Sequence, residues 1–261
     1  MQIPSLKEIV ALSHRAGACV MAVYAEAQID ATYKADNSPL TRADLASHHL
    51  IVDTLQAATP DLPVLSEESK EVPYATRQAW DRFWLVDPLD GTKEFIKKSA
   101  DFTVNIALID DGHPVIGVVF APALGATYYG AVGQGAFKEV DGVTHPIHVA
   151  ETPSAPLKVV ASRSHGSEAL EAFLSRLGPI ERVSRGSSLK CCLVAEGAAD
   201  LYPRCGPTME WDTAAGQCVV EAAGGRVTDM DGHPLRYNKP NLLNPWFVVD
   251  GSADFPWMKH R

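Results

Sequence analysis

The stretch Phe83-Trp84-Leu85-Val86-Asp87-Pro88-Leu89-Asp90-Gly91-Thr92-Lys93 constrains this chain more than any other. Four apolar residues in a row read as a buried strand. Pro88 brings no N–H to a ladder and biases Asp87 away from helix, so the strand cannot run on in register. Asp87 is thereby placed at a strand's carboxyl end, and Asp90 on the turn that follows. Two carboxylates three positions apart, beside exposed backbone carbonyls, suit a hard divalent cation, which takes oxygen ligands.

A chain of 261 residues is long enough for one large or two small domains with a real core. The longest apolar runs, such as Val115 to Phe120, are too short to span a bilayer. Met1-Gln2-Ile3-Pro4 opens no secretory signal, and five cysteines without CxxC spacing suit reduced thiols. A cytoplasmic protein is expected, with peripheral association at the inner membrane left open. The net charge of −9 argues against a nucleic-acid-coating surface.

Apolar stripes from Leu6 to Val23 and from Leu45 to Leu55 predict two helices. The turn-rich stretch Lys34-Ala35-Asp36-Asn37-Ser38-Pro39-Leu40-Thr41 joins them, and Thr41 with Asp44 reads as a capping box opening the second. Strands follow at Pro63 to Leu65, Phe83 to Val86, Thr103 to Ile109, Val115 to Phe120 and Ala126 to Tyr129, a meander-like antiparallel sheet behind the helices. Thr152-Pro153-Ser154-Ala155-Pro156 is the candidate boundary between an N-terminal α+β domain (1–155) and a C-terminal α/β domain (156–261). The second half predicts strands at Lys158 to Ala161 and Ile180 to Val183, and helices at Ser167 to Leu177, Ser188 to Ala199 and Thr213 to Ala223.

Three further acids stand at element ends: Asp36 in the early turn, Glu67 after Leu65-Ser66, and Asp212 in Trp211-Asp212-Thr213-Ala214-Ala215-Gly216. Taken singly, Asp212 is a helix N-cap and Glu67 a solvated loop residue. Taken together, they resemble a site in which cations offset the repulsion of clustered carboxylates. Two or three Mg²⁺ ions in such a cluster would support two-metal phosphoryl hydrolysis.

Leu65-Ser66-Glu67-Glu68, the Asp87-to-Thr92 run and Trp211-to-Gly216 resemble, in order and spacing, the signatures of the inositol monophosphatase superfamily of Mg²⁺-dependent, lithium-sensitive phosphatases. That likeness implies a layered αβαβα sandwich. Arg185-Gly186-Ser187-Ser188-Leu189-Lys190 and Leu201 to Thr208 are most similar to its bisphosphate nucleotidase branch. The activity implied is removal of the 3′-phosphate from adenosine 3′,5′-bisphosphate to give AMP, with the sulfated parent nucleotide as a further substrate, in sulfur assimilation. An inositol- or sugar-phosphate phosphatase is the alternative, and an inactive nucleotide-binding relative the non-enzyme alternative.

Carried over residue by residue, the resemblance implies that Glu67, Asp87 and the Leu89 carbonyl bind one metal, and Asp87, Asp90 and Asp212 a second. A third ion would lie near Glu67 and Asp36. Gly91 and Thr92 would bind the scissile phosphate, and Asp36 would pair with the Thr92 hydroxyl to deprotonate water. Ser162, His165, Gly186, Ser187, Lys190 and Arg204 would hold the nucleotide. Arg163 and Arg185 read equally well as surface charge.

Overall fold

The computed structural model describes residues 3–34, 38–161, 167–251 and 257–260. Helices α1 (Leu6–Tyr24) and α2 (Arg42–Ala58) flank a short antiparallel hairpin, β1 (Ala31–Tyr33) and β2 (Pro39–Thr41), where the sequence predicts only a turn-rich connection. A seven-stranded sheet follows: β3 (Val64–Ser66), β4 (Arg82–Asp90), β5 (Thr103–Asp110), β6 (His113–Ala121), β7 (Ala126–Ala131), β8 (Gly135–Val140) and β9 (Val143–Ile147). The short helices α3 (Tyr74–Arg77) and α4 (Thr92–Ile96) interrupt its early connections. Strands β4 to β9 form the expected antiparallel meander, and β3 adds in parallel at the β4 edge.

The second half builds a five-stranded sheet from β10 (Leu157–Ala161), β11 (Ile180–Ser184), β12 (Leu201–Arg204), β13 (Arg226–Asp229) and β14 (Phe247–Asp250), in the order β11-β10-β12-β14-β13. Its helices are α5 (Glu168–Arg176), α6 (Leu189–Ala195) and α7 (Glu210–Ala222). Helix α6 ends earlier than its apolar run predicts, and Gly197 at φ 70° turns the chain away. Helix α7 begins at Glu210 rather than at Thr213, because the Asp212 carboxylate accepts from Met209 N at 2.9 Å. Asp212 is therefore a first-turn residue closing a cap, and not the N-cap itself.

The layers run helix, sheet, helix, sheet, helix. Along β4, Trp84 and Val86 pack under α1 and α2, while Phe83 and Leu85 face the core shared with α6 and α7. Burial on both faces explains why this strand is an unbroken apolar run. A third cluster packs α5 through Leu170, Phe173 and Leu174 on Val159 and Val248 of the smaller sheet. The proline break at 152–156 falls between the two strand sets, yet the halves share a core, since α7 packs on both sheets.

Small residues set how closely α7 approaches the larger sheet. A Cβ on Gly117 would lie 2.5 Å from the Ala215 carbonyl oxygen and 2.6 Å from Cys218 Cβ. That contact brings the amino end of α7, and Asp212 with it, to the carboxyl end of β4. Gly117→Ala is expected to cost about 1–3 kcal/mol by overpacking, measured by urea unfolding. A loss below about 0.5 kcal/mol, the range of neutral surface changes, would contradict so tight a seat.

Candidate active site

The strand that predicts the site also delivers it. The β4–β5 register shifts between Asp87 and Asp90, and pairing resumes at Asp90 with Thr103. The proline thus makes an irregularity within the strand rather than its end. Gly91 follows in the left-handed region at φ 91°, where a side chain would be strained, and turns the chain into α4.

Asp87 is 1% exposed. Its Oδ1 accepts from Leu89 N at 3.0 Å, while its Oδ2 is buried with no hydrogen-bond partner. Burial, then Glu67, Asp90 and Asp212, holds its carboxyl well above the usual carboxylate range. Burial and then Asp90 do the same to Asp212. Glu67 is raised by burial against the pull of Lys34, whose ammonium lies 2.7 Å from Glu67 and 2.5 Å from Glu68. Asp90 Oδ2 accepts from Ser187 Oγ at 2.5 Å, Ser188 N at 2.7 Å and Ser188 Oγ at 2.9 Å.

Among the described residues no three acids, histidines or cysteines form a finished metal cage. Each carboxylate instead leans on a local donor: Lys34 for Glu67, the serines for Asp90, Met209 N for Asp212. The unpaired Asp87 oxygen has none. A buried carboxylate oxygen without a donor calls for a proton or a cation, and the surrounding oxygens are the donors a hard divalent ion takes. The residues present fit such an ion, with Asp87 at its centre.

The Thr92 hydroxyl lies 3.1 Å from Asp44 Oδ1 and 3.2 Å from the Leu89 carbonyl. Asp44 is 2% exposed, and its Oδ2 accepts from Thr41 N at 2.8 Å and Thr41 Oγ1 at 2.6 Å. The capping residue of α2 is thus also the acid beside Thr92. Asp36, expected in that place, lies outside the described residues, as do Ser162, Arg163 and His165.

Beyond Asp90 and Gly91 a cleft opens, lined by Glu94, Lys190, Tyr202, Arg204, Thr208 and Asp212, among others. Lys190 is 8% exposed; its ammonium donates to the Ser187 carbonyl at 2.7 Å and sits 5.6 Å over the Tyr202 ring. Burial pulls its pKa down. Arg204 donates to the Pro207 carbonyl at 3.0 Å, while its Nε is buried without a partner. Ser187 Oγ is committed to Asp90 and Thr103, and Gly186 N donates to Asp101 at 3.1 Å. Arg185 pairs with Asp101 at 3.8 Å. Glu94 carries no motif that would have marked it, whereas Tyr202 and Thr208 fall within the Leu201-to-Thr208 stretch that resembles the nucleotidase branch.

The sequence model of the inositol monophosphatase family matches residues 3–248, and the chain belongs to that family, one of metal-dependent phosphatases. It is 52% identical over 246 residues to the 3′(2′),5′-bisphosphate nucleotidase CysQ of Escherichia coli (strain K12), covering 94% of this chain and 98% of the relative. The CysQ of Salmonella typhimurium is 50% identical, with the same coverage. Among solved structures, CysQ from Bacteroides thetaiotaomicron superposes with a TM-score of 0.83 at 43% identity, covering 94% of this chain and 96% of that one. An inositol monophosphatase from Thermotoga maritima gives 0.77 at 28% identity, covering 94% and 91%.

The acid cluster makes the metal-free fold sensitive to pH. Burial pushes Glu68 up to about 7 from the ordinary 4.5, and Asp87 and Asp212 are raised as well. As pH rises through that window the unfolded chain gives up protons that the folded chain retains, so stability falls. The melting temperature of chelator-treated protein is expected to drop from pH 4.5 to 7, and Mg²⁺ is expected to restore it most at the upper end. A Mg²⁺ effect that is absent, or largest at the acid end, would contradict this.

Proposed function

We infer that the protein hydrolyses the 3′-phosphate of adenosine 3′,5′-bisphosphate to AMP and inorganic phosphate, with the sulfated parent nucleotide as a second substrate. One observation carries the reading: two buried side-chain atoms have no partner, an Asp87 oxygen that calls for a cation and an Arg204 Nε that calls for an anion, and Asp90 and Asp212, whose charges act on Asp87, line the same cleft as Arg204 and Lys190. The kinship with curated bisphosphate nucleotidases selects the nucleotide. A role in sulfur assimilation follows from the same kinship. Five free cysteines suit a reducing, cytoplasmic setting, and no helix among the described residues is long and apolar enough to cross a membrane.

Glu67, Asp87 and the Leu89 carbonyl would hold one Mg²⁺, and Asp87, Asp90 and Asp212 a second, with a weaker third near Glu67. When bound, these ions neutralise the scissile phosphate and make a water acidic enough to attack. The chain's own residues do the rest. Thr92 donates to Asp44, which leaves its oxygen lone pairs free to accept from the attacking water. As that proton arrives, the hydroxyl proton passes to Asp44. Burial has already raised the Asp44 pKa, which makes it a better acceptor than an exposed carboxylate. In this scheme Asp44 fills the part that the family resemblance implies for Asp36. Gly91 and Thr92 offer donors to the transferred phosphate. Lys190 and Arg204 hold the phosphate that stays behind, by charge-assisted hydrogen bonds.

Turnover of adenosine 3′,5′-bisphosphate and inositol 1-phosphate, measured side by side with Mg²⁺, tests the assignment. A strong preference for the nucleotide is expected, and a preference for inositol phosphate would overturn it. Asp44→Asn is expected to lower kcat about 10²- to 10⁴-fold with little change in KM, the usual worth of general-base catalysis. A wild-type rate in that variant would remove Asp44 from the mechanism.

A further inference from the structure

One face of α2 touches three of the elements that carry the site, α4, β4 and β3. Asp44, Ser47 and His48 are spaced i, i+3 and i+4, so their side chains leave the helix on one side. Asp44 reaches Thr92 at the start of α4. Ser47 is fully buried and donates to the Pro88 carbonyl at 2.8 Å, inside the irregular turn of β4. His48 Nδ1 lies 2.9 Å from Ser66 Oγ, at the carboxyl end of β3.

The third contact has a consequence for Glu67, the residue after Ser66. Strand β3 is three residues long and lies at the sheet edge, with β4 as its one neighbour. Its pairing ends at Ser66 with Val86, after which a single hydrogen bond, Glu67 N to the Val86 carbonyl at 3.1 Å, ties Glu67 to β4. A three-residue edge strand has one ladder to fix its position along the sheet. Ion ligation tolerates displacements of only a few tenths of an ångström, and Lys34 already draws the Glu67 carboxylate toward Glu68. His48 supplies a further anchor, from α2 packed on the face of the sheet.

We propose that His48 is a positioning residue of the metal site: by holding Ser66 it fixes the end of β3, and so sets Glu67 against Asp87. This rests on the metal-dependent reading above.

The test is calorimetric titration of the full chain with Mg²⁺, alongside kcat, KM and the Mg²⁺ concentration for half-maximal activity. His48→Ala is expected to weaken Mg²⁺ binding about tenfold, the usual cost of removing an outer-shell partner. Half-activation should shift by the same factor, with KM at saturating Mg²⁺ unchanged. His48→Asn, which keeps a polar group at the Nδ1 position, is expected to restore most of the affinity. His49→Ala, an exposed neighbour whose ring packs on His48, is expected to leave it intact. Wild-type affinity in His48→Ala overturns the inference, as does an equal loss in His49→Ala. If His48→Ala fails to fold, His48→Asn decides: retained affinity supports the role and lost affinity overturns it. Wild-type protein that takes up no Mg²⁺ overturns the metal reading itself, and the inference with it.

Discussion

A dry carboxylate with one unpaired oxygen organises this molecule. Asp87 lies at the point where a strand buried on both faces gives way to a proline, with three further acids raising the cost of its charge. Burying an uncompensated carboxylate is among the costliest things a fold can do. The surrounding architecture supplies partial relief to its neighbours, a lysine here and serine hydroxyls there, and leaves the Asp87 oxygen for something from outside. The close seat of α7 at Gly117, the face of α2 and the left-handed Gly91 all serve to hold the acids around that vacancy in pairing.

The two halves of the chain divide the work. The first brings Glu67, Asp87, Asp90 and the Asp44–Thr92 pair; the second brings Asp212 and the cleft's two cations, Lys190 and Arg204. They are joined at Asp90, since Ser187 Oγ and Ser188 N donate to its carboxylate while the Ser188 hydroxyl donates to the Asp212 carbonyl at 2.8 Å. Asn105 fixes Ser188 in turn, at 2.8 Å. The Arg185-to-Lys190 stretch is therefore as much a clamp on the Asp90 and Asp212 segments as a wall of the cleft. Ser187 in particular has its hydroxyl occupied, which leaves Lys190 and Arg204 as the cleft's principal groups for an anion.

Much of this is legible in the sequence because its causes are local. An apolar run stopped by Pro88 reads as a buried strand, and the layered fold follows from the family signatures. The helix starts are written in their caps, Thr41 with Asp44 for α2 and Ser167 for α5, whose hydroxyl accepts from Leu170 N at 3.1 Å. What the sequence hides depends on distant partners. Asp44 reads fully as a cap, and nothing within its own turn shows that its other oxygen meets a threonine 48 positions later. The β1–β2 hairpin escapes because each strand has only three residues and one contains a proline. Ser66 beside His48, and Arg204 with its unpaired Nε, are likewise products of tertiary placement.

The account stands on Asp87 as the residue around which cations assemble. An anomalous-difference map from crystals of the full chain soaked in Mn²⁺ addresses that claim most directly. The account predicts the strongest peak within direct coordination distance of Asp87 Oδ2, shared with Asp90 and Asp212 or with Glu67. A map whose peaks all lie elsewhere, with that oxygen still unpaired, would contradict it.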